Sequence, residues 1–259
     1  MRRSITALLL WACLFPPAHS EERIRIAIGE WPPFIGAALP HYGVVPQLIS
    51  EAFASQGVSV EYGFFPWKRA YEEVKQGRWH GSAIWGHTPE READCLFSAV
   101  VYSDEVVLFY NRAKPVDWDG SLATAQQLNG LRIGIPLGSA KTPVLEEAER
   151  LGWVHYEASG DELSNLRMLA ARRIDAVDIV KGSGSHVLNQ QLSAEERSKI
   201  TTTPPYQTWD YHLILSRQLP ESERYLRLFD RGLQQLKDSG RHQQIWQQFE
   251  QPGPVQPAP

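Results

Sequence analysis

The chain has 259 residues, 42% of them hydrophobic and 22% charged, with a formal net charge of −4. That length holds one large domain or two lobes around separate cores. A mildly acidic chain without a basic stripe excludes a phosphate-backbone partner, so no nucleic acid is expected.

Arg2 and Arg3 precede an apolar run from Ile5 to Phe15, then Pro16-Pro17 and Ala18-His19-Ser20. This is the charged, apolar, small-residue order of a cleavable secretory signal, expected over residues 1–20. The run is too short to span a bilayer, and no second run is longer. Cleavage leaves one cysteine, Cys95, beside Leu96 and Phe97. No internal disulfide can form, and the setting predicts a buried, inert thiol.

Ile24, Ile26 and Ile28 alternate with Arg25 and Ala27, which predicts a strand. Val45, Leu48, Ile49, Ala52 and Phe53 mark one face of a helix, stopped by Gly57. Val58 to Phe65 reads as strand. Pro66 opens a helix whose apolar face is Trp67, Ala70, Tyr71 and Val74, so Trp67 is expected in the core. Ser82 to Trp85 is a short inner strand. Thr88-Pro89 then caps a turn that presents Arg91, and a second strand follows through Val101-Tyr102.

A similar set begins near residue 131. Leu131, Ile133 and Ile135 form a strand, and Gly138-Ser139 leads into a helix carrying Val144, Leu145, Ala148 and Leu151. Trp153 to Tyr156 is a strand, Leu163, Leu166 and Ala170 mark a helix, and Ile174 to Ile179 is a further strand. Gly182-Ser183-Gly184-Ser185 reads as a flexible loop. Two helices close the chain, over 221–237 and 241–249, and the Pro-rich tail 251–259 is expected to be disordered. The alternation predicts an α/β class with largely parallel sheets. We expect two α/β lobes joined by a two-strand hinge: residues 21–103 plus 208–250, and residues 104–207. A ligand site belongs in the cleft between them.

Several residues there could carry chemistry. Arg91 either points to solvent from a capped turn or offers its planar fork to a carboxylate. Trp31, stiffened by Pro32 and Pro33, either wedges the loop or stacks on a ligand; Phe34 supports it. Trp85 ends a strand just before the arginine turn, where strand ends face a cleft. Gly138-Ser139-Ala140-Lys141 is either a plain loop or a set of free N–H groups for an anion. It lacks the phosphate-loop pattern. His80 and His87 have no third ligand at useful spacing, so neither metal nor cofactor is expected. Together these features suggest a pocket for a small molecule with a carboxylate and a flat or apolar body.

In order and spacing, Trp31-Pro32-Pro33-Phe34, Thr88-Pro89-Glu90-Arg91, Phe97-Ser98, Tyr102, Gly138-Ser139, Arg173-Ile174-Asp175-Ala176-Val177 and the closing helices resemble the extracellular solute-binding proteins of family 3. These are periplasmic receptors of polar amino acid ABC importers. The resemblance implies a type II periplasmic binding protein-like fold that closes over its ligand. It implies that Arg91 holds an α-carboxylate, that Trp31 stacks on the side chain, and that Ser139 and Ala140 assist from the other lobe; Thr88, the cap of the arginine turn, is a further candidate ligand contact. It further implies a monomer that meets an inner-membrane permease. The acid that usually receives the α-amino group would fall at Val180 or Lys181, and Asp178 is the nearest carboxylate. Ile84 and Gly86 stand where pocket serines are usual.

Two other readings share the scaffold. One is a cyclohexadienyl dehydratase-like enzyme, for which Asp178, Glu90 and His87 are the available acids. The other is a ligand sensor without a transporter.

Overall fold

The computed structural model describes residues 22–250, so the signal expected over residues 1–20 and the Pro-rich tail lie outside the described residues. β1 (Glu22–Ile28) sends Ile24, Ile26 and Ile28 to one face and Ala27 to the other, as a strand's two-residue period dictates. It pairs in parallel with β2 (Val58–Phe64) and β3 (Gly81–Gly86). α1 (Val44–Ala54) covers the isoleucine face with Leu48, Ile49 and Phe53. α2 (Trp67–Lys75) covers the other face, where Ala70 and Val74 are buried.

α3 (Pro89–Asp94) is a single short turn of helix. It leads into β4 (Cys95–Asn111), a strand of 17 residues. At about 3.4 Å per residue such a strand is long enough to serve two cores. Its far end meets β5 (Leu131–Ile135), β6 (Val154–Ala158) and β7 (Ala176–Val180). α4 (Pro143–Arg150), α5 (Glu162–Ala170), α6 (Lys181–Gln191) and α7 (Ala194–Ser198) pack around them. β8 (Ile200–Thr202) pairs with β4, and β9 (Gln207–Ser216) returns antiparallel to β4 from Val106↔Gln207 to Cys95↔Ser216.

The result is one sheet in the order β2-β1-β3-β9-β4-β7-β5-β6, with β4 and β9 running through both halves. Parallel pairing is confined to the outer strands; every pairing of β4 or β9 is antiparallel. The expectation of largely parallel sheets therefore holds only for the outer strands, because the crossing strands run against their neighbours. α8 (Ser222–Asp238) returns to the first half and packs on α1, and α9 (Arg241–Glu250) follows. No helix of the described residues is long and apolar enough to cross a membrane.

Residues 182–185 are not a loop but the first turns of α6. A Cβ on Gly184 would sit 2.6 Å from the Phe109 ring, and one on Gly182 would sit 2.5 Å from Asp104 Oδ2. Close packing against β4, not flexibility, is what those glycines serve. Cys95 is fully buried, and burial pushes its thiol up to about 12.

Candidate functional site

A cavity of about 540 Å³ opens between the two halves. It is walled by the segments that follow the carboxyl ends of β1, β3, β5, β6 and β7, where open α/β sheets place their ligands. The volume is in the range of small-molecule sites. Trp31, Trp85, Arg91, Ser139, Ala140 and Asp178 all line it. Thr88 is not among the described lining residues; its Oγ1 accepts the Arg91 N–H at 3.3 Å and caps α3.

Arg91 is half-buried at the mouth of the first half. Its Nη1 donates to Gly86 O at 2.9 Å, and its guanidinium lies 4.8 Å from the Trp85 ring centroid. Desolvation lowers its pKa from the usual arginine value. Among the described residues no carboxylate lies within ion-pair distance of it. Trp85 is itself fixed by an Nε1–H bond of 2.8 Å to Ser82 Oγ and by the Trp67 edge 5.5 Å away.

Trp67 does not disappear into the core as expected. It is half-buried, donates to Glu30 O at 3.0 Å, and lines the cleft. Trp209, on β9, adds a fourth indole. A Cβ on Gly86 would come 1.9 Å from Trp209 Nε1, so only glycine lets that ring lie against the end of β3. The cleft thus carries four flat indoles, with Arg91 the one arginine or lysine among its described lining residues.

The second half does not present a helix terminus at Gly138-Ser139. α4 starts at Pro143 with Thr142 as its N-cap, and the Ser139 N–H is already bonded to Pro136 O at 3.1 Å in a turn. Thr142 shares Asp178 with two phenols. The Tyr156 and Tyr206 hydroxyls donate to opposite Asp178 oxygens, and Thr142 Oγ1 donates at 3.3 Å. Burial raises the pKa of this carboxyl, opposed by those donors.

Glu162 is the acid that the sequence reading missed. It opens α5, half-buried, and lines the cleft. Its Oε1 accepts from Ser183 Oγ at 2.8 Å and from Trp31 Nε1 at 3.4 Å. Burial pushes its carboxyl up to about 7, against the pull of both donors. A sequence offers little to find it by, since an acid in the first turn of a helix is ordinarily explained by the helix dipole.

The profile of bacterial extracellular solute-binding proteins, family 3, matches residues 24–251. No curated protein matches the chain. Among solved structures, an ancestral arginine-binding protein bound to arginine is 16% identical with a TM-score of 0.73, over 89% of this chain and 99% of that one. A histidine kinase sensor domain with similarity to periplasmic binding proteins is 16% identical with a TM-score of 0.71, over 88% and 96%. The ancestral amino acid-binding protein AncCDT-1, described as a precursor of cyclohexadienyl dehydratase, is 13% identical with a TM-score of 0.68, over 88% and 96%. At these identities the likeness is one of fold.

Proposed function

The chain belongs to the bacterial extracellular solute-binding proteins, family 3, and from that membership we propose that it captures a small carboxylate-bearing solute in the cleft. The solute is an amino acid or a related organic acid. Lobe 1, residues 21–103 with 208–250, and lobe 2, residues 104–207, close over it about β4 and β9. In this reading the protein is a monomer, exported to the periplasm by residues 1–20, and hands its ligand to an ABC permease.

The observation that carries this reading is Arg91. A partly desolvated guanidinium stacked on Trp85, with only Gly86 O for a partner among the residues above, retains donors for an anion. Charge-assisted bonds of this kind are worth about 1.5–3 kcal/mol each, enough to make a carboxylate the anchor. Trp31, Trp67 and Trp209 offer faces to the rest of the molecule. Ser139 and Ala140 add polar contacts from the second lobe, by side chain and backbone.

We read the protein as non-catalytic. Of the three acids weighed for an elimination, Glu90 and His87 are exposed, and Asp178 already receives three hydroxyls. The test is a thermal-shift screen of amino acids and small organic acids. A ligand at a hundredfold its dissociation constant stabilises the folded state by about 2.7 kcal/mol. The shift is expected to vanish in Arg91→Ala; a full shift in that variant would place the anion elsewhere.

A further inference from the structure

We propose that a second cavity, beside the crossing strand β4 and apart from the cleft, is a binding site for a small aromatic acid. This does not depend on what the cleft captures.

The second cavity has a volume of about 520 Å³, against about 540 Å³ for the cleft. Packed interiors leave few voids larger than a water molecule, and this volume is that of a small-molecule site. No described residue lines both cavities; shared elements divide them. In the loop after β1, Trp31 and Pro32 line the cleft, whereas Pro33 and Phe34 line the second cavity. Where β7 passes into α6, Val180 lines the cleft and Gly182 the second cavity.

β4 forms the floor with Val100 to Ser103. Its register with β9 slips twice there, between Phe97 and Val100 and between Val100 and Tyr102. Such irregularities bend a strand and re-aim its side chains. The walls are flat. Tyr102, Trp246 and Phe249 line the recess, and each is half-buried. Trp246, on α9, stacks on Tyr102 with centroids 4.8 Å apart and 20° between planes. Phe34 meets Phe249 at 5.7 Å and 39°. Incompletely covered rings at mixed angles offer faces and edges to a further aromatic body.

The polar lining sets the charge. Lys237, near the end of α8, donates from Nζ to Val100 O at 3.2 Å. An ammonium carries three donors, so two remain, and Lys237 has no ion pair among the described residues. His242, at the start of α9, also lines the cavity; burial lowers its pKa, so the ring is neutral at pH 7. Its Nε2 is buried without a hydrogen-bond partner among the described residues, an unmet polar atom that a turn of the ring would bring to a ligand. No carboxylate is among the described lining residues. Asp104, beside Gly182, spends Oδ2 on the Gly182 N–H at 3.0 Å. A chain with 30 acids and 26 lysines and arginines thus gives this recess a cation and no described acid. An anion is favoured there, and an amine has no acid to meet.

Calorimetry tests this on the signal-free chain carrying Arg91→Ala, which removes the carboxylate anchor proposed for the cleft. The probes are indole-3-acetate and its uncharged amide, indole-3-acetamide. The acid is expected to bind one to one with a dissociation constant below about 1 mM. It should bind about threefold to tenfold more tightly than the amide, the scale of one charged hydrogen bond from an exposed lysine. Lys237→Gln keeps a donor for Val100 O and is expected to erase that preference. Ser103→Trp, which builds an indole into the recess from an exposed position, is expected to abolish binding of both probes. Ligand-free melting confirms that each variant folds. No saturable binding, binding unchanged in Ser103→Trp, or an acid preference intact in Lys237→Gln overturns the proposal. Saturable binding that appears only after residues 251–259 are deleted would make the chain's own Pro-rich end the occupant, and overturns it as well.

Discussion

The Trp31 indole donates to Glu162 Oε1 at 3.4 Å, joining residues that stand on opposite sides of the crossing strands. Trp31 is backed by Phe34 at 4.8 Å and Tyr211 at 5.1 Å between ring centroids. Glu162 is backed by Ser183 on α6, and α6 is tied to the crossing strand β4 by the Gly182 N–H on Asp104 Oδ2 at 3.0 Å. A ligand set against this pair would therefore bear on a stack rooted in one half and a helix pair rooted in the other. In the closing receptor proposed above, contacts to both halves are available only when they are together.

Arg91→Lys separates charge from geometry. Lysine keeps a cation but cannot give a carboxylate two parallel bonds or stack on Trp85 as a guanidinium does. We expect the dissociation constant of a carboxylate ligand to rise about tenfold or more, the loss of one charge-assisted bond. Titration calorimetry reads it directly. Ligand-free melting should change little, because the desolvated cation contributes no ion pair to lose. An unchanged dissociation constant would mean that charge alone suffices.

Glu162 gives the ligand-free protein a pH signature. Its carboxyl is held up to about 7 when folded, against 4.5 for the ordinary group. The folded state then keeps a proton that the unfolded chain has lost, so its stability declines as pH rises from about 4.5 to about 7 and stays lower above. Glu162→Gln cannot ionise but still offers Oε1 to Trp31 and Ser183. It should melt above the native protein at pH 8 and close to it at pH 4.5. Equal melting curves at both values would show that the acid is not raised.

Which parts of this were legible beforehand follows from how local each signal is. Arg91 and Trp31 announce themselves because a capped turn after a strand and a proline-stiffened loop fix their positions within a few residues. Glu162 does not, because its importance lies in a contact to a residue 131 positions away. Gly182 and Gly184 read as loop by propensity, yet tertiary packing against Phe109 and Asp104 makes the segment helical. The strand–helix order was readable from apolar periods, whereas the single sheet through both halves depends on the pairing of β4 with β9, which no periodicity encodes.

Gly232→Ala should weaken the fold without touching the cleft. A Cβ there would lie 2.0 Å from the Ala52 carbonyl oxygen, where α8 crosses α1. Backbone cannot yield as a side chain can, so α8 must shift off α1. Overpacking of this sort costs about 1–3 kcal/mol, offset in part by alanine's better helix propensity. Urea unfolding should show a lower midpoint, with ligand affinity of the folded fraction unchanged.

Asp178 separates a scaffold role from a direct one. Its two oxygens gather Tyr156 from β6, Tyr206 from the segment before β9, and Thr142 from the cap of α4. Asp178→Ala removes their shared acceptor inside a buried site, and hydroxyls left without partners cost about 1–3 kcal/mol. Thr142 and Tyr206 already lie 3.3 Å apart and can recover part of that by bonding each other. We therefore expect a lower ligand-free melting temperature, partly restored in Asp178→Asn, which keeps one acceptor oxygen. A ligand-free melting temperature equal to the native one, with a weakened ligand, would instead make Asp178 a direct contact. The same variant bears on catalysis. In the non-catalytic reading proposed above, incubation of the native protein with prephenate should yield no phenylpyruvate. Turnover that Asp178→Ala abolishes would make this carboxyl an acid and the protein an enzyme.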